Sequence, residues 1–207
     1  MHMWRRVLPN LITSVRIPAA FSIVPLLCMD LQQWDAMLTQ EVGMILAFVV
    51  MVIAWLTDWA DGAVARSKYG EVTEFGKWFD PVCDSIFHLL AFLAFFLNGW
   101  MPLLFLVIVA IRETESYAYR ILMWLYGLEL GARRSGKQKT VIYVVVQLSV
   151  VLAYIAFPYA GMSYRTIWWI TLPIFASTVG VATWSGMDYA CHGHREVQKA
   201  RREWWVL

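Results

Sequence analysis

The stretch "WLTDWADGAVARSKYGEVTEFGKWFDPVCD", from Trp55 to Asp84, closes one apolar run and opens the next. Asp58 and Asp61 stand three apart at the end of the first run; Asp80 and Asp84 stand four apart at the start of the second. On helices these spacings put each pair on one face. If the two helices are antiparallel neighbours, the polar loop between them brings both faces together. A carboxylate at membrane depth is costly unless it is paired or solvated. Four in one cluster cannot all stay ionised without cations, and Arg66 and Lys68 offset only part of that charge. An all-oxygen set lacking His and Cys suits Mg²⁺ or Mn²⁺, with carboxylates enough for two ions. Gly62 lets a ligand or backbone come close, and Ala65 and Gly76 are small enough for helix contact. Solvated loop-end aspartates would account for any one of these acids, but not for two matched pairs with small residues between them.

Outward from this stretch, the chain of 207 residues is 60% hydrophobic and only 15% charged, with a mean hydropathy of +0.56. That excess falls into long runs, as bilayer spans require. The reading is an all-α integral membrane protein of six transmembrane helices, near residues 8–29, 42–64, 80–98, 101–126, 140–160 and 165–189. There is no internal repeat, low-complexity segment or long linker, so residues 1–207 are expected to form a single membrane domain. The net charge of +2 gives no nucleic-acid footprint. The three cysteines, Cys28, Cys83 and Cys191, have neither disulfide-framework nor zinc spacing. His192 and His194 read as part of a solvated tail rather than a metal site. Arg5 and Arg6 precede an apolar run as in a signal peptide, but Asn10, Thr13 and Arg16 interrupt that run, which favours a retained first helix.

Basic residues gather on one side of the expected spans: Arg5/Arg6, Arg66/Lys68/Lys77, Arg133/Arg134/Lys137/Lys139 and Arg195/Lys199/Arg201/Arg202. The other side carries Arg165, with Asp30, Asp35 and Glu41. The positive-inside rule then turns both termini and the aspartate loop toward the cytoplasm, the arrangement of a bacterial inner-membrane protein. The acids thus sit where a lipid's phosphates would meet the cytoplasm.

Asp58-x-x-Asp61-Gly62-x-x-Ala65-Arg66, followed by Gly76-x-x-x-Asp80-x-x-x-Asp84, resembles the signature of the CDP-alcohol phosphotransferases. The gap between Arg66 and Gly76, "SKYGEVTEF", is one residue longer than the family's usual spacing, and Thr73 is placed by counting back from Gly76. The resemblance implies that Asp58, Asp61, Asp80 and Asp84 hold two divalent cations, and that Asp84 is also the general base. It assigns Gly62, Ala65, Arg66, Thr73 and Gly76 to the CDP-lipid. The N-terminal "PNLIT" resembles the family segment that caps the nucleotide and adds Asn10 and Thr13; an ordinary helix start capped by Asn10 is the competing reading. The implied chemistry suits the residues, because phosphoryl-type displacement needs positioning and charge neutralisation, with a carboxylate to take the alcohol's proton. The family also implies a homodimer.

The acceptor needs further residues. In "AIRETESYAYRIL", Arg112 and Arg120 lie near two turns apart and share a face with Ser116. Two arginines on a buried face, beyond what Glu113 and Glu115 can pair, suggest an anionic ligand such as a phosphate; an internal ion-pair network with those glutamates is the alternative. Lys137 and Lys139 in "GARRSGKQKT" flank the start of the fifth span, where by themselves they are an ordinary cytoplasmic basic loop. The "RE" with a second Arg eight residues on, "GKQKT" (Gly136–Thr140) and "WSGMDY" (Trp184–Tyr189) together resemble the phosphatidylglycerophosphate synthase branch. That implies CDP-diacylglycerol as donor and sn-glycerol 3-phosphate as acceptor, its phosphate held by Arg112, Arg120, Lys137 and Lys139. Other acceptors within the family are inositol phosphate, phosphatidylglycerol and serine; a neutral or zwitterionic one would not need two buried arginines. A cation transporter would favour midplane acids and inverted repeats, which this chain does not display.

Overall fold

The computed structural model describes residues 13–28, 36–65, 74–128 and 134–204, with helical side chains undescribed at 36–39, 58, 60–65, 74–78, 134, 200 and 202–204. Within these residues the chain is helical, as expected. The helices are α1 (Arg16–Leu27), α2 (Ala36–Ala65), α3 (Glu74–Leu97), α4 (Leu103–Leu125), α5 (Arg134–Ala156) and α6 (Tyr164–Trp204), with a 3₁₀ turn at Pro158–Ala160.

Among the described residues, four segments are long and apolar enough to cross a bilayer: Gln40–Thr57, Phe79–Leu97, Ser135–Ala156 and Tyr164–Lys199. The other two helices depart from that standard for different reasons. The described part of α1 is only 12 residues long. In α4 the charges of Arg112, Glu113, Glu115 and Arg120 interrupt the apolar sequence. The last helix also runs well past the expected residue 189, so His192 and His194 lie on continuous helix.

The chain forms two compact units, Met1–Met101 with Gln147–Thr171, and Pro102–Val146 with Leu172–Leu207. In the first unit α1 packs on α2 and α3. The sequence shows why α2 has one inward stripe. Met44, Ala47, Met51 and Ala54 are buried at alternating three- and four-residue steps, while Val42, Ile45, Leu46, Val49 and Ile53 are exposed. That 3.5-residue rhythm is a helix-packing seam, and the exposed apolar face suits lipid rather than water. Small Ala47 and Ala54 allow close backbone approach. On α3 the buried set includes Cys83, Phe87, Ala91 and Ala94. Deeper on α3, Gln147 donates from Nε2 to the His88 carbonyl at 3.1 Å, and its Oε1 lies 2.9 Å from His88 Nδ1. This reciprocal pair satisfies two buried polar side chains that would otherwise be costly.

The second unit contains α4, the first half of α5 and most of α6. Its helices meet at glycines. A Cβ on Gly136 would lie 3.1 Å from Tyr189 Oη, one on Gly186 would lie 3.2 Å from Glu115 Oε2, and one on Gly193 would lie 2.7 Å from Tyr119 Cδ1. Two of these, Gly136 and Gly186, fall within the "GKQKT" and "WSGMDY" stretches, so part of each motif provides clearance for a neighbouring side chain.

Candidate active site

In the first unit, Asp58 and Asp61 lie on the closing turns of α2 and Asp80 and Asp84 on the opening turns of α3. Gly62, Ala65 and Gly76 are on those same helices; Asn10, Arg66 and Thr73 lie outside the described residues. The side chains of Asp58 and Asp61 are likewise outside the description. Pro81 sits inside α3 directly after Asp80; with no N–H to donate, it removes one rung of the helical ladder beside the acids.

Two polar residues entering α1 meet the acids of α3. Thr13 Oγ1 donates to Asp80 Oδ1 at 3.0 Å. Arg16 Nη1 forms an ion pair with Asp84 Oδ1. The partners follow the same order along both segments, the donors three positions apart at the start of α1 and the acceptors four positions apart on α3. Arg16 is 2% exposed and Thr13 1% exposed, so these contacts place a buried guanidinium and hydroxyl against carboxylates at the mouth of the helix pair. Sequence reasoning took Arg16 only as an interruption of an apolar run and missed its partner. The available signal was its cost: a cation on an otherwise apolar helix requires a counter-charge. The hydroxyl of Thr13, expected at the CDP-lipid, is bonded to one of the acids.

The described carboxylates fit hard divalent cations by donor type. Asp80 is exposed and Asp84 half-buried, so both present oxygen at an open helix end rather than in a sealed core. That is the ligand chemistry Mg²⁺ and Mn²⁺ favour.

In the second unit the cations are arranged around Glu113. Its Oε1 accepts from Arg112 Nη1 at 3.0 Å and from Lys139 Nζ at 2.8 Å. All three residues are nearly or fully buried: Arg112 5%, Glu113 2% and Lys139 4% exposed. Arg112 Nη2 donates to Ser185 Oγ at 2.7 Å, while its buried Nε lacks a hydrogen-bond partner among the described residues. Lys139 also lies 4.8 Å from the centre of the Tyr143 ring. The internal ion-pair alternative is therefore realised for Arg112 and Lys139, which share the Glu113 carboxylate. A second carboxylate borders the group: Glu115 Oε2 and Arg112 Cγ both lie against Gly186.

Arg120 is separate from that pair. It reaches Tyr189, with Nη2 3.4 Å from the phenol oxygen. Its Cζ lies 6.0 Å from the Tyr189 ring centre, and that of Arg112 lies 5.6 Å from the same ring. Ser116 is buried on the shared face and donates to the Arg112 carbonyl at 3.1 Å. Lys137 is placed differently. Two residues from Lys139, it is about 200° around a helix; it is exposed and lines an apolar groove with Val141, Ile142, Val181 and Trp184. The structure thus gathers Arg112, Lys139 and Arg120, and sets Lys137 on another side of α5. Tyr189, Ser185 and the bridging role of Glu113 were not legible as site features from spacing.

Among its described residues the protein is helical, with segments long and apolar enough to span a bilayer. The chain belongs to the CDP-alcohol phosphatidyltransferase family, whose profile it matches over residues 6–184. It is 36% identical over 110 residues to a CDP-diacylglycerol–glycerol-3-phosphate 3-phosphatidyltransferase of Treponema pallidum, covering 52% of this chain and 50% of that protein. It is 27% identical over 165 residues to a Bacillus subtilis protein of the same name, covering 75% and 84%. A probable phosphatidylglycerophosphate synthase of Mycobacterium tuberculosis is 25% identical over 158 residues, covering 76% and 70%.

Proposed function

We propose that this chain transfers the phosphatidyl group of CDP-diacylglycerol to sn-glycerol 3-phosphate, giving phosphatidylglycerophosphate and CMP. The observation that carries the choice of acceptor is the gathering of basic side chains on one side of α4, with Arg112 and Lys139 at Glu113 and Arg112 and Arg120 at Tyr189. Arginine and lysine together suit an acceptor that is itself a phosphate monoester better than zwitterionic serine.

Asp58, Asp61, Asp80 and Asp84 would hold the divalent cations, two Mg²⁺ or Mn²⁺, whose contribution when bound is to neutralise the diphosphate and the departing CMP. The remaining steps belong to the chain itself. Gly62, Ala65, Arg66, Thr73 and Gly76 bind the CDP moiety, with Asn10 and Thr13 closing over it. Asp84 takes the proton from the acceptor's hydroxyl as that oxygen bonds to the phosphatidyl phosphorus and the bond to CMP breaks. Arg16 orients the Asp84 carboxylate through their ion pair. Arg112, Arg120 and Lys139 grip the acceptor's phosphate, with Lys137 contributing longer-range attraction.

We place the protein in a bacterial cytoplasmic membrane, with termini and active site toward the cytoplasm, because the basic loops gather on that side. A homodimer is expected from the family alone. The deciding experiment is CMP release by purified protein with glycerol 3-phosphate, inositol phosphate, serine and phosphatidylglycerol offered separately. Turnover with glycerol 3-phosphate is expected. Inositol phosphate satisfies the same electrostatics, so preference for it would replace the acceptor while retaining the site.

A further inference from the structure

We propose that Tyr189 is a positioning residue for the acceptor site, drawing Arg112 and Arg120 toward one point, and that Gly136 exists to let it do so. This rests on the reading that those arginines bind the acceptor phosphate. Two guanidiniums on one helix repel each other, and long arginine side chains have many rotamers through which to separate. Here both lie within cation–π range of one ring, at 5.6 and 6.0 Å, and the phenol oxygen also receives Arg120 Nη2. The negative face of an aromatic ring attracts each cation without carrying a formal charge that would compete with a phosphate. A carboxylate in the same place would neutralise the cations and weaken the site.

The ring is fixed in turn. Tyr189 is 3% exposed, and its phenol oxygen stands 3.1 Å from where a Cβ on Gly136 would be. Its neighbour Asp188 accepts from Ser135 Oγ at 2.5 Å. Successive residues of α6 are thus tied to successive residues of α5. One contact explains members of three separate motifs: the arginines of α4, the glycine of "GKQKT" and the final tyrosine of "WSGMDY".

The test compares Tyr189→Phe, Tyr189→Leu and Gly136→Ala in detergent-purified full-length protein, with the KM for each substrate measured separately. Tyr189→Leu removes both the ring and the hydroxyl and is expected to raise the glycerol 3-phosphate KM about 10-fold, in the range of desolvated cation–π contacts. Tyr189→Phe keeps the ring and should restore KM to within about 3-fold of wild type, as expected for losing a single long neutral acceptor. Gly136→Ala displaces the phenol and should raise the same KM by an intermediate factor. The CDP-diacylglycerol KM should not change in any of the three. Calorimetric binding of glycerol 3-phosphate without donor should follow the same order, which separates this inference from the assignment of the reaction. Wild type that binds glycerol 3-phosphate but does not turn it over would sink the reaction and not the positioning role. Equal KM increases for both substrates, or Phe as damaging as Leu, would make Tyr189 merely structural. If Tyr189→Leu does not fold, an unchanged glycerol 3-phosphate KM in Gly136→Ala overturns the proposal.

Discussion

The two regions treat buried charge in opposite ways. Around α1 and α3 the buried Arg16 meets Asp84, which is only half-buried, beside an exposed Asp80. Around α4 and α5, Arg112, Glu113 and Lys139 are buried together, and Glu113 is shared between the two cations. The first region pairs charges at an open helix end, the second in the interior. The difference teaches that a charge pair is informative by its setting: a carboxylate at an open helix end can still meet a ligand, whereas one inside the helix packing engages its neighbours first.

The largest expected effect lies in the acidic region. Chelation by excess EDTA should eliminate CMP release, with added Mg²⁺ or Mn²⁺ restoring it, and Asp58→Ala or Asp61→Ala should lose the metal response. Full activity in EDTA would remove the ionic basis of the comparison. Asp84→Asn should lower turnover by about 10²–10⁴-fold, the usual contribution of a general base. CDP-lipid binding should survive, since three aspartates remain. Near-normal turnover would mean that another group takes the proton.

The next prediction sets stability against function. Glu113→Ala leaves Arg112 and Lys139 buried without their carboxylate and should cost about 3–5 kcal/mol of folding stability, read as a lowered unfolding midpoint in detergent. Arg112→Ala leaves the Lys139–Glu113 pair in place, so the protein should fold. It should nevertheless raise the glycerol 3-phosphate KM about 10- to 100-fold, from losing a charge-assisted contact worth about 1.5–3 kcal/mol. Equal loss of affinity for the CDP-lipid would reduce the cationic region to scaffolding.

The smallest effect sharpens the boundary of that region. Lys137→Ala should change the glycerol 3-phosphate KM by no more than about 3-fold, because an exposed charge is screened by water and salt. Lys139→Ala should change it more. A reversed order would move the phosphate toward the outer groove of α5.

What the sequence by itself determined is the all-α membrane character, the positions of the aspartate pairs and the presence of two arginines on one face of α4. Hydropathy and helical periodicity are local properties, and acids on an apolar chain stand out wherever it folds. Its expected span count was less secure, because α4 carries charges that hydropathy counts as exposed although Arg112 and Glu113 are buried together. Tertiary structure alone decided the partners. Arg16 meets Asp84 across 68 residues of chain, and Glu113 joins Lys139 across 26. It also separated Lys137 from Lys139, which sequence reading treated as one basic cluster. A pairing of this kind depends on which helix faces meet and how closely their small residues let them approach, and no single segment contains that information.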